Sequence, residues 1–499
     1  MLIVKCTKNI NILRAVAGTK WGADWNSLLK INEALNRSRI VYGCPAFLTA
    51  SKTQINKLEV LQNHALRIAL GAWRSTHIAS LQVEANIIPM KHFIQQQSIN
   101  VYYKLKTMGP THPVHQQIFN DNDIRNKVWT RLFKSPFVIQ VENLLNPWNL
   151  PRNPMIENSL YPVIPPWFNL EKVIEHNLVK PTKKSMGKEQ NKQSVLETLS
   201  TKYMGYNQLY TDGSKSEDRK TGAAFYAPYN LTHSSWRLHN ESSIVSAEMS
   251  AIHIATSWLL QTNNPGKVVL LTDSDTSLHL ISHRKPKKYI NSTTKIHKNI
   301  IQLIDNGWDI KFQWIPSHCN ISGNDIVDQL ANNGRTLNGI TYPVELNDLQ
   351  YQTKKQMLWI WQQLWDIQRQ NRTFGLIKPI LGNWYWCRHD SRALDTIMTK
   401  MRLEKVGLNK YLQRVNLSPT DLCAQCNSGD IEDVSHYLLY CQKYTAQRYR
   451  LFTFMRNIGF PRVTINILLG AAETDSDTKC KITSELGSYI LNTNRFDTL

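Results

Sequence analysis

Between Leu209 and Asn333 the spacing of apolar positions switches between continuous runs and helical recurrence. Leu209, Tyr210 and Thr211 form an apolar, β-branched run that meets Gly213, which predicts a strand ending in a turn with Asp212 near its end. Thr221 to Tyr226 and Ser234 to Leu238 predict two more strands, antiparallel to the first. From Ile244 to Leu260 the apolar residues recur three and four apart, so a helix is expected, capped by Ser242 or Ser243 and carrying Glu248 on or beside its buried face. Lys267 to Thr272 is the short, continuous apolar run of a strand covered on both faces, and Asp273 ends it. Phe312 to Trp314 reads as a last strand that enters a polar loop at His318, followed by a helix from about Asn324 through Ala331 with Asp328 on it. The pattern predicts an α/β fold over residues 207–335, a mixed five-stranded sheet flanked by helices.

The flanks have other periods. Residues 1–108 read as helical, with stripes over Trp25 to Arg39 and Ile55 to Leu70 and basic residues opposite. Residues 109–206 shift to prolines (Pro147, Pro151, Pro154, Pro162, Pro165, Pro166) interleaved with Trp148, Tyr161, Trp167 and Phe168, which suggests an extended connector packed through its aromatics. It ends in a polar, lysine-rich hinge from Lys180 to Gln193. Residues 336–499 return to helix, with Leu358, Trp361, Leu364, Trp365 and Ile367 as a core-facing stripe and Arg392 to Leu412 as a basic helix pair.

Asp212, Glu248, Asp273 and Asp328 sit in four different elements, so only folding brings them together. One Asp after a strand is a common turn former; four acids in register are a far more specific signal. Like charges at short range cannot all ionise without cations between them. Two hard divalent ions, Mg2+ before Mn2+, would neutralise the cluster and activate a water for in-line phosphoryl displacement.

The order Thr211-Asp212-Gly213-Ser214, then Ser246-Ala247-Glu248, then Thr272-Asp273-Ser274-Asp275, then Trp314 to Ala331 resembles the type 1 ribonuclease H domain carried by non-LTR (LINE-like) retrotransposons. The resemblance implies endonucleolytic hydrolysis of the RNA strand of RNA–DNA hybrids, leaving a 5′-phosphate and a 3′-hydroxyl. It implies Asp212, Glu248, Asp273 and Asp328 as metal ligands and His318 as a mobile residue that assists product release. Asp275 departs from the pattern, since related elements usually carry an amide there. Ser38 to Gly43 and Leu61 to Ala72 are similar to the segment after the polymerase palm of the same elements, yet the sequence contains no Tyr-x-Asp-Asp motif. The expectation is therefore a thumb-like segment in a polyprotein fragment whose polymerase domain is supplied elsewhere. Two competing readings are a catalytically inactive nucleic-acid-binding remnant and a metal-dependent nuclease acting on DNA.

Charge narrows the partners. Lys+Arg exceed Asp+Glu by 59 to 38, and most of the excess lies before residue 210. A polyanion is the expected partner rather than a small-molecule substrate. Within the sheet region the run Arg284-Lys285-Pro286-Lys287-Lys288 stands out, and Arg284, Lys285, Lys287 and Lys288 are expected nucleic-acid contacts together with Ser214 and Asn324. No apolar run approaches the length of a bilayer span, so no membrane contact is expected, and the location should be intracellular, in nucleus or cytoplasm. Eight scattered cysteines fit a reducing compartment better than a disulfide framework.

Three of those cysteines lie in Cys423-x2-Cys426-x9-His436-x4-Cys441. Three thiolates and an imidazole suit one tetrahedral Zn2+, and a closed four-ligand site is structural. A CCHC motif placed after a ribonuclease H domain is also what the resemblance implies.

Overall fold

The computed structural model describes the chain except residues 1, 19–20, 120–134, 162–163, 180–186, 263, 340–341, 371, 383–390, 471–474 and 497–499. Pro162 and the first part of the expected hinge lie outside the described residues. The chain divides into two compact units, Ile99–Lys355 and Met1–Ser98 with Gln356–Leu499.

The first unit is built on one mixed sheet. Its strands are β1 (Ile174–Glu175), β2 (Asn207–Lys215), β3 (Thr221–Ala227), β4 (Thr232–Leu238), β5 (Lys267–Thr272) and β6 (Asp309–Trp314). Their spatial order is β1-β6-β5-β2-β3-β4. The meander β2-β3-β4 is antiparallel, and β5, β6 and β1 run parallel to β2. The helices that matter for the site are α1 (Ile244–Gln261), α2 (Asp275–Ser282), α3 (Ile290–Asp305) and α4 (Ser322–Gly334).

Alternate residues of the central strands feed two cores, as the two-residue period of a strand requires. Leu209, Val268, Leu270 and Phe312 join Met249, Ile252, Ile296 and Ile300 from α1 and α3. Tyr210, Val269 and Leu271 join Val327 and Ala331 from α4, with Val195 and Tyr203 beyond. That double covering explains why β5 is apolar at nearly every position.

The expected mixed sheet flanked by helices is present, with three differences. The sheet has six strands, because the connector contributes the two-residue edge strand β1 beside β6. Strand β2 does not stop at Gly213: it runs on to Lys215, with Gly213 paired to Ala223. The glycine serves packing there, since a Cβ would lie 2.4 Å from Glu248 N and 2.6 Å from Ala247 C. The hinge is also shorter than expected, because Lys188–Thr201 is a helix whose Val195 and Thr198 are buried.

The connector is only partly the aromatic-packed strap its composition suggested. Trp148 is buried and Phe168 packs against the sheet core, but Tyr161 and Trp167 are more than four-fifths exposed. Short helices at Pro113–Phe119 and Phe137–Leu145 replace extended chain.

The second unit is helical and joins both ends of the sequence. Lys52–Leu70 packs with Leu2–Val16 and Trp25–Asn32 around Leu13, Leu28 and Leu66. The basic residues of this unit are partly spent inside it. Arg402 and Glu84 form a buried ion pair with Nε 2.7 Å from Oε1. Arg392 donates to the Ala69 carbonyl and Lys378 to the Val83 carbonyl, each at 2.7 Å. Arg37 is buried against the Phe93 ring at 4.0 Å. In the predicted Leu358 to Ile367 stripe, Trp361 and Trp365 are buried, whereas Ile367 is 68% exposed. Cys480 is disulfide-bonded, against the expectation for the chain's cysteines; among the described residues six others are free. No described helix is long and apolar enough to cross a membrane.

Candidate active site and metal centres

Three of the four predicted acids meet. Asp212, Glu248 and Asp273 each bring an oxygen within 4.8 Å of the others. Asp212 lies inside β2, paired to Ala224 of β3 and one residue beyond the end of the ladder to β5 at Thr211. Glu248 sits in the second turn of α1, whose cap is Ser243: its side chain accepts from Ser246 N at 3.1 Å. Asp273 follows the last residue of β5, and its carbonyl accepts from the Trp314 indole at 3.2 Å.

Asp328 stands apart from this cluster of three, half-buried on α4. It is near enough to raise the proton affinity of all three acids. Its carboxylate accepts from Asn332 Nδ2 at 3.1 Å, and the same amide accepts from Ser214 Oγ at 2.5 Å. One amide therefore ties the acid on α4 to strand β2.

The cluster is strained electrostatically in the way that calls for cations. Burial, then the neighbouring Asp273 and Asp328, push Asp212 up to about 8, although Gly213 donates a backbone hydrogen bond that opposes the shift. Burial pushes Glu248 well above the carboxylate range, with Asp212 and Asp273 adding to it. Burial also raises Asp273, and His318 on the exposed loop after β6 partly offsets that. Glu248 Oε2 is buried without a hydrogen-bond partner, an oxygen aimed at nothing the chain supplies. Three converging carboxylates, one of them with a buried unpartnered oxygen, fit hard divalent ions such as Mg2+.

The other predicted contacts differ in exposure. Ser214 and Asn324 are both buried, and Asn324 Oδ1 also lacks a partner. Lys285, Lys287 and Lys288 are exposed on the loop between α2 and α3, while Arg284 donates to the Pro165 carbonyl. His318 occupies a left-handed turn position with φ of 52°.

Sequence reasoning missed two supporting residues. Asn332 carried a usable signal, since it lies one helical turn after Asp328. Asp348 carried none: it is 1% exposed and accepts from Ser243 N at 3.0 Å, across 105 residues of sequence, fixing the start of α1.

Residues 205–336 match the family model described as RNase H. The RNase H domain thus spans β2 to α4 and holds all four acids, while β1 and the helical unit fall outside the match. Among solved structures, the chain is similar to a foamy viral protease-reverse transcriptase in complex with dsDNA. That likeness has 25% identity over 26% of this chain and 95% of the other, with a TM-score of 0.23.

The second centre lies in the helical unit. Cys423, Cys426, His436 and Cys441 each place a ligand atom within 4.8 Å of the rest. Cys423 Sγ is 3.9 Å from Cys441 Sγ, and Cys426 Sγ is 3.4 Å from His436 Nε2. Tetrahedral zinc with ordinary bond lengths needs edges of about 3.8 Å between sulfurs and about 3.5 Å between sulfur and nitrogen. These two edges match what a tetrahedral zinc site requires, and the set could hold that ion. Burial raises the Cys426 thiol, but hydrogen bonds with Ser428, Cys423 and His436 outweigh it and bring it down to about 6. Burial pushes Cys441 up to about 12. Asp430 lies 3.8 Å from His436 Nδ1, beyond hydrogen-bonding distance.

Proposed function

We propose that the RNase H domain hydrolyses the RNA strand of RNA–DNA hybrids, with Asp212, Glu248, Asp273 and Asp328 as ligands of two Mg2+ ions. The observation that carries this reading is the convergence of Asp212, Glu248 and Asp273, two of them buried and one half-buried, with one Glu248 oxygen buried and unpartnered. Bound there, the ions would neutralise the cluster, activate a water and stabilise the leaving oxygen. The chain's own part is placement. Strand β2 and the Gly213 amide orient Asp212 and Glu248, and Asn332 holds Asp328 toward β2. His318 lies close enough to act electrostatically on Asp273 and is exposed, which suits a residue that assists product release.

A hybrid would be recognised by groove shape and 2′-hydroxyls, with weak sequence preference. Lys285, Lys287 and Lys288 offer phosphate contacts from the exposed loop, with Arg284, Ser214 and Asn324 nearer the protein. We assign one structural Zn2+ to the Cys3His set. The order of the motifs, with the Cys3His set beyond the RNase H domain, supports a LINE-like reverse transcriptase polyprotein acting inside the cell with a polymerase domain.

A labelled hybrid incubated with Mg2+ beside duplex RNA and duplex DNA tests the assignment. Hybrid cleavage that disappears in Asp212→Asn while binding persists is the expected result. Binding without any cleavage would instead identify a non-catalytic binder, and cleavage of duplex DNA would displace the RNA substrate.

A further inference from the structure

We propose that His176, Asp275 and His279 form a separate transition-metal site, suited to Zn2+, that pins the segment after β1 to α2. The three residues each place one ligand atom within 4.8 Å of the others. They do so from two parts of the chain: His176 follows the edge strand, while Asp275 and His279 lie four apart on one face of α2. The Asp275 carboxylate is shared, with Oδ1 2.8 Å from His176 Nδ1 and Oδ2 3.3 Å from His279 Nε2. The two imidazoles stack at 4.2 Å between centroids.

The donor set decides the class of ion. Two imidazoles and one carboxylate are the ligands of open zinc sites, whereas Mg2+ and Ca2+ select oxygen. The site therefore differs in preference from the acid cluster, although Asp275 is only two residues from Asp273. Edges between nitrogen and oxygen donors of a tetrahedral ion are about 3.3 Å, close to the present 2.8 and 3.3 Å, which run to different Asp275 oxygens, and binding would turn the stacked rings so that both nitrogens face one ion. The side chains are 27%, 50% and 61% exposed, which lets an ion enter without unfolding and leaves a coordination position to water. What it would stabilise is also visible. Strand β1 has only two register pairs with β6, too few to hold the connector firmly alone.

This site does not depend on the nuclease assignment. The test uses the full chain with its Cys3His set loaded with zinc and Mg2+ in excess, titrated with Zn2+ by calorimetry. Wild type should take up one more equivalent than either His176→Gln or His279→Gln, and Asp275→Asn should weaken that step at least tenfold. In parallel, Zn2+ should slow amide exchange across residues 174–178 in wild type and leave the glutamine variants unchanged. Exchange in β2 without added Zn2+ identifies any variant whose fold has failed. Equal zinc uptake by wild type and a folded glutamine variant would reduce the trio to a histidine–aspartate ion pair and overturn the proposal.

Discussion

Replacing Asp212 by Asn should stabilise the RNase H domain when Mg2+ is absent and lose that advantage when Mg2+ is present. The folded carboxyl is pushed up to about 8 from an ordinary value of 3.8. At pH 7 the unfolded chain has released that proton and the folded chain still holds it, so folding carries a penalty. About three pH units at 1.36 kcal/mol each set an upper bound near 4 kcal/mol. The amide that replaces the carboxyl remains buried and needs partners, which costs about 1–3 kcal/mol. A net gain of about 1–3 kcal/mol is expected. The sign follows from the raised value: this group's contribution is most favourable below pH 4 and is lost as pH rises toward 8. In Mg2+ at a hundred times its dissociation constant wild type regains about 2.7 kcal/mol, and the variant, short of a ligand, regains less. Amide exchange in β2 and α1 peptides, at pH 5 and 8 with zinc retained, reads the domain without interference from the helical unit. Faster exchange in the variant at pH 8 without Mg2+ would refute the electrostatic account of the cluster.

The other predictions test separate supports. Gly213→Ala places a methyl group 2.4 Å from Glu248 N, so hybrid cleavage should fall by more than tenfold and stability by about 1–3 kcal/mol, read by the same exchange experiment. Cys426→Ser should lower zinc from about one ion per chain to none by elemental analysis of protein freed of loosely held metal; unchanged content would exclude the ligand set. Arg402→Met strands the buried Glu84 carboxylate and should cost the helical unit about 3–5 kcal/mol in urea unfolding, far more than loss of a surface ion pair. Burial, then the Lys295 charge, pulls His253 down to about 4 from 6.5. Its contribution to stability should therefore be full above pH 6.5 and lost as pH falls toward 4. His253→Asn should flatten that acid limb in a series of melts.

The fold was legible where local pattern and tertiary demand agreed. Helix α1 begins at the residue its serine cap predicts, and β5 reads as a covered strand because both sheet faces are buried. Agreement failed where a residue has two physical uses. Gly213 looked like a turn and is instead the one residue small enough for α1 to rest on β2. The two-residue β1 could not be read, because nothing in Ile174–Glu175 distinguishes an edge strand from connector until β6 is beside it. Tyr161 and Trp167 misled in the other direction, since aromatic residues between prolines carry no mark of which will find a surface.

The site divides along the same line. Residue type and order picked out three acids and a Cys3His set that the fold brings together as candidate ligands, because metal chemistry restricts which side chains can serve. Their placement depends on partners that spacing cannot reveal. Ser214 meets Asn332 across 118 residues, Ser243 meets Asp348 across 105, and His176 meets Asp275 across 99. The first two contacts fix elements that carry candidate ligands, and the third joins two candidate ligands directly. The physical consequence is that the acids can be kept close in spite of their repulsion only by a frame that cannot relax. Ladders on both sides of β2, the cap of α1 and the amide on α4 together provide that frame. A variant that loosens one of them, such as Asn332→Ala, should let Asp328 swing away and weaken Mg2+ binding while every acidic ligand remains in the chain.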